Sequence, residues 1–225
     1  SDADLTLTSG NTLEGKISVN QPQREVTPKQ IILSGSGTLG SADLLLVGDN
    51  TELVFDRADS FEFKNIVSGE GSVLHRGNGT TTFSGANAYT GATNVQGGRL
   101  TLANISAIDQ LSSTVVNGTG QLDLYTYSAN DALDRGKEFK INQVEIAEGG
   151  QLFVSARNPL VAESISLDAN SSVGSINPGG IVVEIFEKTD GRERNKAPIR
   201  VQNSFIYKSG SLVVKAPFSD DPEGV

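Results

Sequence analysis

Seven times along 225 residues the chain repeats one phrase: a turn bearing Gly or Asn, a small residue, then an apolar-x-apolar strand. It reads GDNTELVF (48–55), GEGSVL (69–74), QGGRLTL (96–102) and NGTGQLDL (117–124), then AEGGQLFV (147–154), DANSSVGSI (168–176) and YKSGSLVV (207–214). The first apolar positions after these turns are Leu53, Val73, Leu100, Leu122, Leu152, Val173 and Leu212. Most gaps between them fall in the range of about 20 to 30 residues, a period at which no unit buries its own apolar face and neighbours must stack. Three short strands per unit, each pairing with its equivalent in the next, build a parallel β-helix with coils about 4.8 Å apart. The expected fold is all-β: a parallel β-helical solenoid with loop or hairpin excursions.

The remaining strand-like runs agree: LTLT (5–8), QIIL (30–33), DLLLV (43–47), FEFKNIV (61–67), TTTF (80–83) and IVVEIF (181–186). Each is bounded by residues that favour turns. The 25 glycines are spread along the chain rather than pooled in one linker. No stretch keeps a 3.6-residue apolar period long enough for a convincing helix. A β-sandwich would carry turn signals every 8–12 residues, and two-residue Asn-Gly hairpin loops are scarce here.

Composition narrows the function. With 27 acidic against 18 basic residues and a net charge of -9, nucleic acid and anionic membrane surfaces are poor partners, since both need clustered Lys and Arg. There is no cysteine, so thiol chemistry, disulfides and Cys-based zinc sites are excluded. No apolar run approaches the roughly 18 residues of a membrane span, and nothing resembles a signal peptide. A chain that begins at Ser1 and has no methionine is expected to be a mature product or an excised piece.

Residues 69–102 hold GEGSV (69–73), GNGTTTFSGANAYTGATNV (77–95) and GGRLTL (97–102). This stretch resembles the passenger-associated transport repeat, also called the autotransporter-associated β-strand repeat. His75-Arg76 stands where that repeat usually carries a Lys-Thr or Lys-Ser pair. The resemblance implies a right-handed β-helix, exported through the periplasm and outer membrane of a Gram-negative bacterium as the passenger of a β-barrel translocator.

Read residue by residue, the same stretch describes a coil. Thr80, Thr82 and Phe83 suit a strand with Phe83 pointing inward, and SGAN (84–87) supplies a corner of small residues. Tyr89 is expected to be partly buried with its hydroxyl at the edge. Asn78, Asn87 and Asn94 are candidates for amide ladders between coils, and a glycan-binding Tyr-Asn surface is the functional alternative.

Reactive constellations are weak. Gly35, Gly37 and Gly40 spell G-x-G-x-x-G with Asp56 further on, but a dinucleotide fingerprint needs a long helix after the last Gly, and a second turn at Gly48-Asp49-Asn50 intervenes. The expectation is two solenoid corners. His75, the one histidine, lacks a nucleophile motif and is expected to be exposed in a turn. Asp56, Asp59 and Asp123 are the carboxylates to weigh for glycan hydrolysis, and solvated surface positions are expected for them. Sequons at Asn78, Asn104, Asn117 and Asn170 are taken as incidental. No catalytic, cofactor-binding or metal-ligating residue is assigned.

Three segments break the rhythm: 128–143, 155–164, and 184–200, where Asp190-Gly191 signals a projecting β-hairpin. An acidic tail closes the chain at 216–225. The expected function is a non-catalytic extracellular passenger segment, a stalk or adhesive surface that aids folding during secretion. Its expected partners are a host-cell surface protein or glycan, another copy of itself, and its own translocator. The alternatives are part of a toxin or protease passenger whose active domain lies elsewhere, and a polysaccharide-degrading β-helix enzyme.

Overall fold

Short apolar-x-apolar runs between tight turns have too few residues for long hairpins, so their backbone groups are satisfied by the equivalent run one coil away. The computed structural model describes residues 4–20, 27–105, 111–124, 137–154, 160–168, 172–175, 183–185 and 199–207. The first coils contain β1 (Leu5–Leu7), β2 (Lys16–Asn20), β3 (Lys29–Ser34) and β4 (Asp43–Val47). The next two are β5 (Thr51–Asp56), β6 (Ser60–Phe63), β7 (Val67–Gly69), then β8 (Ser72–His75), β9 (Thr80–Phe83), β10 (Ala88–Tyr89). Coils with two described strands each follow: β11 (Thr93–Val95) with β12 (Arg99–Leu102), and β13 (Leu111–Val116) with β14 (Gln121–Leu124). After them come β15 (Phe139–Ile146), β16 (Gln151–Val154), β17 (Leu160–Leu167), β18 (Ser172–Ser175), β19 (Val183–Ile185) and β20 (Ile199–Tyr207).

These strands form three sheets, and every pairing is parallel. The first runs β1-β3-β5-β8-β11-β13-β15-β17-β20-β19, the second β10-β7-β4-β2, and the third β18-β16-β14-β12-β9-β6. Among the described residues there is no α-helix. The architecture is the parallel β-solenoid expected from the sequence.

Alternation within each strand sends one residue set inward, and stacking lines these sets into columns. On the first sheet one inward column is Leu7, Leu33, Phe55, His75, Val95, Val116, Ile146 and Leu167. A second is Ile31, Leu53, Val73, Thr93, Thr114, Val144 and Ile165. The third sheet contributes Phe63, Phe83, Leu102, Leu124 and Val154. Phe55, Phe63 and Phe83 meet in the middle with ring centroids 5.1, 5.2 and 5.3 Å apart. Each such pair contributes about 0.5–1.5 kcal/mol beyond the area it buries.

Close stacking at the corners demands glycine. Gly98 has φ 56°, and a Cβ there would lie 2.3 Å from the Gly79 carbonyl and 2.4 Å from that of Gly77. Any side chain forces the two coils apart.

The repeated phrase sits on two different faces. Leu53 and Val73 are paired on the first sheet, whereas Leu100, Leu122, Leu152 and Val173 are paired on the third. The wide gap from Val73 to Leu100 is thus a change of face, and the coil step is the 20 residues separating Leu53, Val73 and Thr93.

Three expected excursions are corrected in part. Phe139–Ile146 and Leu160–Leu167 are eight-residue strands, so 139–143 and 160–164 belong to the first sheet and only 128–136 and 155–159 lie outside the described residues. The strands at the two ends of the segment 184–200, β19 and β20, pair in parallel, Val183 opposite Ile199. An Asp-Gly pair signals a turn but carries no information on which way the next strand pairs. Residues 186–198 and the tail 216–225 lie outside the described residues.

Candidate functional site

The two coils from β8 to β12 concentrate the polar groups of the interior. His75 ends β8, where alternation turns its side chain inward above Phe55, and it is fully buried. The sequence suggested an exposed turn histidine; the turn begins one residue later, at Arg76. Its Nδ1 lies 2.8 Å from the Gly97 carbonyl oxygen, and its Nε2 lies 3.1 Å from Thr81 Oγ1. A carbonyl only accepts, so Nδ1 carries the proton and Nε2 accepts from the threonine hydroxyl. Burial holds the imidazole below its ordinary range, and the Gly97 carbonyl opposes that shift.

Tyr89 is buried as well, its hydroxyl 2.7 Å from Thr93 Oγ1 rather than at the edge. Burial raises its pKa, with the Thr93 hydrogen bond opposing. Asn87, 2 % exposed, accepts the Val67 N–H through Oδ1 at 2.8 Å. With both side chains inside, no Tyr-Asn surface faces a glycan. The amide ladder is also absent: Asn94 pairs with Leu74 and Val115, and Asn78 lies exposed in the corner. Next to Thr93 in its column stands Thr114, whose buried hydroxyl has no partner among the described residues.

The surface carboxylates are held by cations. Asp56 binds Arg76 at 3.0 Å, and Asp59 binds Arg57 at 2.7 Å. The Arg57 hydrogen bond lowers the Asp59 pKa, with burial opposing it. Asp123 departs from the solvated position expected of it. On the outer face of the third sheet it is only 9 % exposed, accepts from Gln121 Nε2 at 2.7 Å, and has Arg99 at 3.5 Å. Burial raises its pKa, against the opposing effects of Gln121 and Arg99. Gly35 and Gly40, both at positive φ, shape the corner leading to β4, so a strand stands where a dinucleotide fold needs a helix. Among the described residues no group of three His, Asp or Glu gathers to hold a metal ion.

Sequence reasoning passed over Arg57 and Asn65. Arg57 is 4 % exposed, donates to the Gly37 carbonyl one coil below, and lies 4.1 Å over the Phe61 ring. Asn65 donates to the Gly40 and Ala42 carbonyls at 3.0 and 2.8 Å. Their signal was position: each sits about one coil after a glycine corner whose carbonyls need donors.

The described part of this molecule is a parallel β-solenoid with buried polar groups spread from β5 to β14. Residues 76–102 match the family model of the passenger-associated-transport-repeat. That span covers β9 to β12 and begins one residue after His75. No curated protein and no solved structure matches the chain.

Proposed function

We propose that this chain is a non-catalytic length of an autotransporter passenger, a stalk displayed outside a Gram-negative cell, whose transport-repeat coil aids folding during export. The supporting observation is the position of the repeat. It occupies the middle of a sheet that runs from Leu5 to Tyr207, so coils on both sides can stack onto it. Ion pairing of Asp56 and Asp59 fits a surface without a reacting carboxylate pair. Adhesion to a host protein, a glycan or a second copy would then use the outer faces and not the interior of the repeat.

The test uses the full-length protein in its native host. Deleting Val73–Ala92 removes one 20-residue step and joins Ser72 to Thr93 in register. The longer stretch 69–102 is unsuitable, because it is not a whole number of coils. The deletion should delay the appearance of protease-resistant passenger at the cell surface several-fold, while the passenger that emerges binds its target normally. Unchanged export would overturn the proposed role of the repeat.

A further inference from the structure

The inward leucines of β12 and β14 leave the alternate residues on the outer face of the third sheet. There Arg99, Gln121 and Gln151 stand in one column and Thr101, Asp123 and Phe153 in the next, at a rung spacing of about 4.8 Å. Arg99 Nη2 donates to Gln121 Oε1 at 3.4 Å, and Gln121 Nε2 donates to Asp123 Oδ1 at 2.7 Å. Both ends of the Gln121 amide are therefore fixed in orientation. Asp123 Oδ2 has Arg99 Nε at 3.5 Å, longer than a well-formed hydrogen bond. Among the described residues that oxygen accepts no hydrogen bond and keeps its capacity for one.

The fold has no need of a carboxylate at this position. Thr101 and Phe153 occupy the rungs on either side, and an uncharged residue of either kind packs on the sheet without losing hydration. Asp123 is only 9 % exposed, and one loose ion pair with half-exposed Arg99 offsets the lost hydration only in part. Burial accordingly raises its pKa. A charge kept at a cost to stability, in a preorganised polar frame beside an aromatic ring, is the pattern of a ligand site.

A neutral sugar ring fits that frame. Its rim carries hydroxyls that donate to a carboxylate and accept from amide and guanidinium N–H groups, and its apolar C–H face suits the partly exposed ring of Phe153. An anionic ligand is opposed by Asp123 itself and by the net charge of -9. Glu62 lies three rungs along the same column, about 14 Å away. Glycosidase carboxylate pairs stand roughly 5 to 9.5 Å apart, so this pair does not cleave what the face holds.

We infer that the outer face of the third sheet around Asp123 binds a neutral glycan. Asp123 and Gln121 orient the ring hydroxyls, Arg99 and Gln151 donate to them, and Phe153 supplies the stacking surface. The inference rests on the reading of the chain as a displayed surface, and its test on the purified chain involves no export, so the two fail separately.

Saturation-transfer NMR with cellotetraose, mannotetraose and chitotetraose as probes should show binding of at least one of them. For that probe, Asp123→Asn should raise Kd tenfold or more, the ratio one charge-assisted hydrogen bond sustains. The same variant should unfold at a higher temperature at neutral pH, because a buried charge has been removed. Phe153→Leu keeps the apolar bulk and should weaken binding comparably with little change in unfolding temperature. Binding of none of the three probes overturns the inference, as does unchanged affinity in Asp123→Asn. Loss of stability in Asp123→Asn also overturns it, since the carboxylate would then be a structural ion-pair partner. Tighter binding of a galacturonate tetramer than of any neutral probe does so too, because Arg99 would then be the recognising group.

Discussion

His75 shows how one buried side chain ties stability to pH. The unfolded imidazole titrates near its ordinary 6.5, and the folded one titrates lower because burial disfavours the cation. Between those two values the unfolded chain binds more protons, so stability falls as pH drops from 6.5 toward the folded value and levels off below it. Urea unfolding across this window should show the slope, and the His75→Leu/Thr81→Val variant should lose it. Asp123 acts with the opposite sign. Its raised folded pKa means that the folded chain takes up a proton first, and the cost of its charge is relieved as pH falls through that value. The Thr114 hydroxyl, without a partner among the described residues, is a third case. Thr114→Val keeps the shape and removes an unpaired buried polar group, so it should stabilise the chain by about 1 kcal/mol, measurable as a higher urea midpoint with unchanged slope.

At the level of strands and corners, the aromatic cluster holds the first and third sheets together. Phe83 is 1 % exposed and touches both Phe55 and Phe63. Phe83→Ala should cost about 3–5 kcal/mol, because the three-sheet coil around it collapses poorly into the cavity. Gly98 tests the corner instead of the core. Gly98→Ala places a Cβ against two backbone carbonyls at a positive φ, and backbone cannot rotate away as a side chain would. Loss of cooperative thermal unfolding is expected there, whereas Asn78→Ala in the same corner, exposed to solvent, should unfold at the parental temperature.

Across the molecule, the 20-residue step shared by Leu53, Val73 and Thr93 makes length around the repeat a quantised property. Removing Val73–Ala92 should leave a folded chain with parallel-β circular dichroism and a single unfolding transition, since β11 inherits the partners of β8 and β12 those of β9. Removing only Val73–Thr82 should destroy folding, because the residues that follow then arrive on the wrong face. A ten-residue deletion that folds as well as the twenty-residue one would contradict a solenoid built in register.

Much of this was legible beforehand. Turn-flanked apolar-x-apolar runs recurring at coil length leave few ways to bury an apolar face other than stacking, and that is a property of spacing alone. Alternation also placed Phe83 inside. Spacing does not say on which face a given run lies, which is why Val73 and Leu100 looked like successive rungs and belong to different sheets. Nor does it locate a turn to one residue: that single position separates an exposed His75 from a buried one bonded to Gly97. The polar lining escaped the sequence for the same reason. Thr81, Thr93 and Asn87 are residues that suit surface strands and corners, and only the pairing of each coil with its neighbours decides that they face inward and what they bind. The direction of β20 was equally out of reach, since an Asp-Gly turn fixes a local bend while the partner strand is chosen by contacts distant in the chain.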